Sequence, residues 1–381
     1  MSAAIEVALA AWASVVGGAT SVAAARARRY AGRRPSAAEP RGLGTVLVVR
    51  PLAGREPELE RALRSTGDFV RDATARVVFA VRDAGDGAAP IARRVAAELR
   101  ARGLDAEVVV THARAPNLKA AQLARVVAGS SADVIVSIDS DVDLAGLDLA
   151  RMLDPLSDPR VGAVWAPPVE APSAPTLADR ASAAILGASL HAFPLLACID
   201  EDGMVGKAFA IRRSELDAVG GFDALDDVLG EDIELARRLT ARRSEIAACP
   251  FVVRSLASGR TFADVIARFA RWLSVVRTQR PALLASYPVL FFPTPPFLAL
   301  ALVAPHGTSV LASLAVVALA RVAVAMVGAR IAGRSMVAAV AWAPIADLVL
   351  ALAFLRAVSS RTVVWRGRTL MLGPRGRLMR V

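Results

Sequence analysis

The stretch Ile135 to Leu144, IVSIDSDVDL, ends an apolar run on three carboxylates, Asp139, Asp141 and Asp143, spaced two apart. Gathering that much negative charge at one point is unfavourable unless a cation joins it. Two hard oxygen ligands at a strand end suit Mg²⁺ or Mn²⁺, bound by one or two carboxylates with the remaining positions left to phosphate oxygens of a substrate. The other reading of D-x-D alone is an acidic turn at a sheet edge. No P-loop (GxxxxGK[ST]) and no GxGxxG occurs, so phosphates here would be held by metal and carboxylates rather than by a glycine-rich turn.

Three further clusters carry chemistry. VRDAGDG places Asp83 just past a second apolar run, where its carboxylate could accept from a base or ribose or simply be a solvated turn. LGEDIELARRL puts Glu231 and Asp232 at a helix start, a place where acids are favoured on dipole grounds alone. RFARW sets Arg268, Arg271 and Trp272 at i, i+3 and i+4, one helix face. Two guanidiniums beside an indole fit a diphosphate or a membrane-interface belt.

The elements that position these residues are legible between Arg41 and Arg280. Strand-like runs at 45–49, 76–81, 106–110 and 133–138 alternate with helical patterns near 55–66, 90–102 and 117–129. Strand and helix alternating this way predict an α/β fold, a parallel sheet with helices on both faces. Ligands in such sheets bind at the carboxyl ends of the strands, where Asp83, Asp139 and Asp141 stand. Side chains two apart on an extended segment point to the same side.

Lipid accounts for the rest of the composition. The 381 residues are 55% hydrophobic with a mean hydropathy of +0.46, and the excess lies at the two ends. Val7 to Ala25 is a 19-residue uncharged run followed by Arg26, Arg28, Arg29, Arg33 and Arg34. A cleaved leader carries its charges before the apolar run, so an anchor helix over residues 1–25 is expected, with its N-terminus outside and Arg26 onward in the cytoplasm. Pro281 to Ala320 lacks any charged residue and is broken by APHGTS at Ala304 to Ser309; Met336 to Leu355, interrupted by Pro344 and Asp347, follows a basic loop. Residues 281–355 are thus expected to hold two or three membrane segments. The tail, 356–381, has seven arginines and no acids, so it too belongs in the cytoplasm. An odd number of full spans would strand it outside, which makes one segment interfacial or re-entrant; YPVLFFPTPPF and the Asp347 segment are the candidates. Arg321 is costly in lipid and must either snorkel or face protein.

The net charge of +11 suits an anionic cytoplasmic leaflet. Nucleic acid is not expected as a partner, because no basic stripe interleaved with aromatics occurs between the apolar ends. Two cysteines, Cys198 and Cys249, and three histidines give neither a disulfide framework nor zinc-ligand spacing.

Taken in order, RPLAG (Arg50 to Gly54), Asp83, PNLK (Pro116 to Lys119), DSD (Asp139 to Asp141), GKAFAIRRSELDAVGGF (Gly206 to Phe222), GED (Gly230 to Asp232), RFARW and VVWRGR (Val363 to Arg368) resemble the ceramide glucosyltransferases and their bacterial relatives, membrane members of the family-2 type of glycosyltransferase. The resemblance runs from about Arg50 to Arg368. It implies a GT-A, Rossmann-like nucleotide-sugar domain over 41–280, facing the cytoplasm of an integral membrane protein, in the cytoplasmic membrane if the source is bacterial. It implies a UDP-sugar donor, a lipid acceptor such as ceramide or a hopanoid, and Mg²⁺ or Mn²⁺. By the same resemblance Asp83 contacts uridine, Asp139 and Asp141 bind nucleotide and metal, Asp232 is the general base, and Arg268, Arg271 and Trp272 hold the diphosphate and the acceptor side of the sugar. His191, Lys207 and Glu231 are the candidates for the acceptor side. The chain departs from the pattern at DAGDGAA, where prolines are expected, and at IELARRL, where an aromatic often follows the acidic pair. The implied reaction is inverting transfer of a single sugar. A processive polysaccharide synthase shares several of these motifs but needs more membrane helices for a polymer channel, and an inactive nucleotide-sugar-binding scaffold would not need Asp232.

Overall fold

The computed structural model describes residues 2–32, 43–71, 73–200, 202–304, 307–365 and 368–380. Arg33, Arg34 and the expected boundary at Arg41 lie outside the described residues, as do Pro305, His306, Arg366 and Gly367. In chain order the elements are α1 (Ser2–Ala31), β1 (Val46–Pro51), α2 (Leu59–Phe69), β2 (Ala75–Val81), α3 (Ala89–Ala101), β3 (Asp105–Val110), α4 (Leu118–Ala128), β4 (Val134–Ile138), β5 (Val142–Asp143), α5 (Leu149–Leu153), β6 (Val161–Trp165), β7 (Pro168–Glu170), α6 (Leu177–Ala188) and α7 (Phe193–Ile199). There follow β8 (Ala208–Arg212), α8 (Arg213–Ala218), α9 (Glu231–Ala241), β9 (Glu245–Ala248), β10 (Val253–Ser255), α10 (Phe262–Gln279), α11 (Pro281–Leu290), α12 (Thr294–Val303), α13 (Thr308–Ile331), α14 (Met336–Ser359), β11 (Thr362–Trp365), β12 (Arg368–Leu372) and β13 (Leu378–Arg380). They fall into two compact units, one of Arg34–Ser173, Glu201–Ser258 and Thr369–Val381, the other of Met1–Arg33, Ala174–Asp200 and Gly259–Arg368.

The first unit is built on a seven-stranded sheet of order β3-β2-β1-β4-β8-β6-β9. Its first four strands are parallel, with Val48 opposite Val77 on one side and Val136 on the other. β1 and β4 are buried along their whole length, which is why they read as continuous apolar runs rather than alternating ones. Val48, Val77, Val136, Leu63, Val95 and Leu99 belong to one core of sheet and helix residues. The parallel expectation ends at β8, AFAIR, which runs antiparallel to both β4 and β6. That reversal brings the start of β8 to the end of β4, where the Asp139 N–H donates to the Lys207 carbonyl at 2.8 Å. A smaller sheet, β5-β10-β7, lies beyond the D-x-D turn, and β12 and β13 form an antiparallel hairpin with Met371 opposite Met379.

The second unit is helical. Among the described residues four helical segments are long and apolar enough to cross a membrane: Ala3–Ala31, Leu177–Ile199 (α6 and α7 taken together), Thr308–Ile331 and Met336–Ser359. The 30 residues of α1 extend about 45 Å, and Arg28 and Arg29 close its last turn. Leu177–Ile199 is the segment that the sequence did not single out. α11 and α12 bend by 59° at their break, at the proline-rich YPVLFFPTPPF, so this segment is a broken span or a re-entrant loop rather than one straight helix. α14 runs through Pro344 without interruption. Arg321 does not snorkel: its Nε lies 2.8 Å from Asp347 Oδ1 and its Nη1 donates to the Ala188 carbonyl at 2.6 Å. Thr294 donates to the other Asp347 oxygen at 2.8 Å.

Candidate active site

The D-x-D residues are held by a side chain that spacing alone did not single out. Arg50, the penultimate residue of β1, is 0% exposed. Its guanidinium donates to the carbonyls of Asp139 (2.8 Å) and Val142 (2.6 Å), and on the helix side to the Ala62 carbonyl (2.5 Å) and Thr66 Oγ1 (2.9 Å). Burial lowers its pKa to about 10, against the raising influence of Asp141, Asp139 and Asp143, so it remains a cation at neutral pH beneath three carboxylates. Asp139 to Asp141 form a turn after β4, with the Val142 N–H donating back to Asp139. The two carboxylates therefore converge through a turn and not, as the spacing suggested, by alternation along a strand.

Each carboxylate has its own cation. Lys119, from PNLK at the start of α4, places Nζ 2.7 Å from Asp139 Oδ1 and 3.3 Å from Glu231, and donates to the Gly206 carbonyl at 2.6 Å. Burial opposes its charge, but Asp139 and Glu231 lift its pKa above the ordinary lysine value. Asp143 is bound by Arg61 at 2.9 Å and serves the scaffold. Asn117 caps α4, accepting from the Ala120 N–H, and donates to the Val228 carbonyl and to Glu231 at 2.8 and 3.0 Å.

Asp232 sits in the first turn of α9, whose cap Gly230 takes φ 75°, a left-handed conformation suited to glycine. The helix-start reading of GED is thus correct as structure. Asp232 Oδ2 accepts the Gly206 N–H at 2.7 Å, and Oδ1 accepts from Ile233. A Cβ at residue 206 would lie 3.1 Å from both Lys119 Nζ and Asp232 Cβ, so glycine lets the backbone approach this closely. Burial first, then the neighbouring Glu231, raises the Asp232 carboxyl to about 6. A carboxyl with a pKa near the working pH and hydrogen-bonded in place is fit to take a proton.

Asp141 is 6% exposed, accepts from Ser255 Oγ, and lies with both its oxygens 2.6 Å from Lys207 Nζ. The same ammonium is 3.8 Å from Asp139. The ammonium thus stands between two carboxylates whose hard oxygen donors are of the type that binds Mg²⁺ or Mn²⁺. Among the described residues no group of three or more His, Cys, Asp and Glu side chains could hold a metal, so an ion here would complete its shell from substrate oxygens and water.

Asp83 lies in an exposed turn beyond β2 and pairs with Arg82 at 2.8 Å; Asp86, in the same turn, accepts the Gly54 N–H at 2.8 Å. In the helical unit, Thr261 and Asp264 form a capping box at the start of α10, which presents Arg268, Arg271 and Trp272. All three are half-buried, and the Arg268 guanidinium lies 4.4 Å from the Trp272 ring centroid. His191, between α6 and α7, bonds Tyr287 OH through Nδ1 at 2.9 Å and is ringed by Phe193, Phe269, Trp272, Tyr287 and Phe291 with centroids 5.7 to 6.4 Å away. Its Nε2 is buried with no hydrogen-bond partner among the described residues. The structure thus brings Asp139, Asp141, Lys207, Glu231 and Asp232 together, with Asp83 on the turn after β2 of the same sheet. Arg50, Asn117, Lys119 and Ser255 join them; RPLAG and PNLK were visible as motifs, whereas nothing marked Ser255.

Residues 8–378 match glycosyl transferase family 21. Among solved structures the chain is similar to the mannosyltransferase PcManGT from Pyrobaculum calidifontis, solved with GDP-Man and Mn²⁺, with 21% identity and a TM-score of 0.54 over 94% of this chain and 99% of that one. A weaker likeness is to glucosyl-3-phosphoglycerate synthase from Mycobacterium tuberculosis in complex with Mn²⁺, UDP-glucose and phosphoglyceric acid, with 21% identity and a TM-score of 0.38 over 64% of this chain and 85% of that one. No curated protein sequence matches. The sheet is that of a GT-A fold.

Proposed function

From its membership of glycosyl transferase family 21, to which this chain belongs, we propose that the protein transfers a single sugar from a nucleoside diphosphate sugar, UDP-linked as in the ceramide glucosyltransferases it resembles, to the hydroxyl of a membrane lipid, with inversion. The observation that carries this reading is Lys119, whose one ammonium bonds Asp139 and reaches Glu231, fixing the D-x-D turn and the start of α9 in one place. Asp139 and Asp141 are proposed to hold the donor's diphosphate with Mg²⁺ or Mn²⁺, and the ion would neutralise charge on the departing diphosphate. Asp232, held by two backbone N–H groups, takes the proton of the acceptor hydroxyl as that oxygen bonds the anomeric carbon and the bond to the nucleotide phosphate breaks. Asp83 is proposed for the base, and Arg268, Arg271 and Trp272 for the diphosphate and the acceptor-side sugar; family resemblance supports these roles. His191 and Glu231 are proposed for the acceptor side.

Helices long and apolar enough to cross a membrane support a lipid acceptor, whose hydroxyl lies at headgroup level, and the arginines after α1 and in the tail support a cytoplasmic catalytic unit. The test is to incubate membranes containing the protein with labelled UDP-glucose, UDP-galactose, UDP-N-acetylglucosamine or GDP-mannose and to extract the lipids. Label in a discrete lipid product is expected. Label only in polymer, or none from any donor, would overturn the reading.

A further inference from the structure

We propose that Lys207 is a resident counter-ion of Asp141: with no donor bound, its ammonium neutralises that carboxylate and denies it to a free divalent cation, and it passes to the donor's diphosphate when metal and nucleotide arrive together. This rests on the reading of Asp139 and Asp141 as the metal and nucleotide site. The two lysines at the D-x-D turn are held differently. Lys119 is anchored by a neutral acceptor, the Gly206 carbonyl at 2.6 Å, as well as by Asp139 and Glu231. Among the described residues the Lys207 ammonium has only carboxylate partners, Asp141 at 2.6 Å to both oxygens and Asp139 at 3.8 Å. It occupies the place that a chelated cation would take.

Asp141 cannot leave in its stead. Its oxygen accepts from Ser255, its carbonyl accepts the Leu256 N–H at 2.8 Å, and it is 6% exposed. A buried carboxylate stripped of its cation is strongly unfavourable, which explains why a positive group stays there in the absence of donor. A bare metal ion entering this site must displace the ammonium from the carboxylate it neutralises while competing with it for Asp139 as well. A metal entering with a diphosphate brings an anion to receive it, and an ammonium with three donors on a flexible stem suits a phosphate. The two ligands are then coupled, each improving the affinity of the other by the same factor.

The test measures Mn²⁺ binding to the purified full-length protein by the loss of the free-ion paramagnetic resonance signal, with and without UDP and with no transfer reaction. For the unaltered protein, Mn²⁺ binding is expected to be weak alone and to tighten at least about tenfold with saturating UDP, within the usual range of coupling. In Lys207→Met, binding of Mn²⁺ alone should tighten by about the same factor and the effect of UDP should shrink. Lys207→Arg, which keeps the charge, should behave like the unaltered protein. The proposal is overturned if Lys207→Met binds Mn²⁺ alone no better than the unaltered protein. Should that variant not fold, the unaltered protein still decides: equal Mn²⁺ affinity with and without UDP overturns the proposal. If the unaltered protein binds no Mn²⁺ even with UDP, the metal reading of the site is what fails.

Discussion

Replacing Asp232 by asparagine tests the proposed base through two readouts that respond to pH in different ways. The carboxyl rises from 3.8 to about 6, which at roughly 1.4 kcal/mol per pH unit corresponds to about 3 kcal/mol, trimmed to about 1–3 by solvent reaching the half-buried group. The folded value lies above the unfolded one, so the unfolded chain deprotonates first. Asp232 is therefore neutral to folding below about pH 4 and opposes it as pH rises to about 6, with the full penalty above that. Asp232→Asn should raise the apparent melting temperature at pH 8 and leave it unchanged near pH 4. Turnover should move the other way, falling about 100-fold or more, the scale of general-base catalysis. With a value of about 6, about a tenth of the carboxyl is ionised at pH 5 and about nine-tenths at pH 7, so the unaltered enzyme should gain roughly tenfold in kcat/KM between them. That acid limb should be missing from the residual activity of the variant. Transfer of labelled sugar to lipid across this range, with melting followed by tryptophan fluorescence, supplies both readouts. Near-normal turnover in Asp232→Asn, or an acid limb that survives in it, would refute the assignment.

Glu231→Gln is the companion control and should retain more turnover than Asp232→Asn; the reverse order in the same transfer assay would make Glu231 the base. Chelation by EDTA should abolish transfer and added Mn²⁺ restore it, and full activity in excess EDTA would exclude the metal role of Asp139 and Asp141. Arg50→Met leaves the Asp139 and Val142 carbonyls without their donor and the carboxylates above without a buried cation, a loss of about 3–5 kcal/mol, to be seen as reduced yield and a lower melting temperature. A cysteine at Arg375 should resist impermeant thiol reagents in intact cells, and labelling from outside would place the tail on the other face.

The parallel half of the sheet was legible because β1 to β4 are short apolar runs bounded by helical patterns, and their carboxyl ends placed Asp83, Asp139 and Asp141 correctly on the fold. β8 was not legible as a reversed strand, since AFAIR carries no mark of direction; its orientation is fixed by pairing with β4 and β6. The same holds for the site. Asp139 and Asp141 announce themselves by spacing, but the burial of Arg50 and the meeting of Lys207 with Asp141 depend on which backbone passes beside which. α6 and α7 escaped notice because Asp179, Arg180, His191 and Pro194 interrupt the apolar stretch, which reaches the 23 residues of a candidate span only when the two helices are taken together. Arg321 was visible as an anomaly in an apolar run; its partner Asp347 lies 26 residues on, and nothing local points to it.

The Arg321 and Asp347 pair also constrains how the chain is made. An arginine or an aspartate at the centre of a helix resists entry into lipid by about 2.5–3.5 kcal/mol on its own, and α13 is synthesised before α14. Released singly, α13 would face hydrocarbon with an uncompensated guanidinium. The residues between the helices, Ala332 to Ser335, are too few to let them travel far apart, so entry into lipid as a paired hairpin would join the two charges and remove that cost. A chain terminated before Asp347 would leave the Arg321 guanidinium without that partner and is expected to insert less well than the full chain.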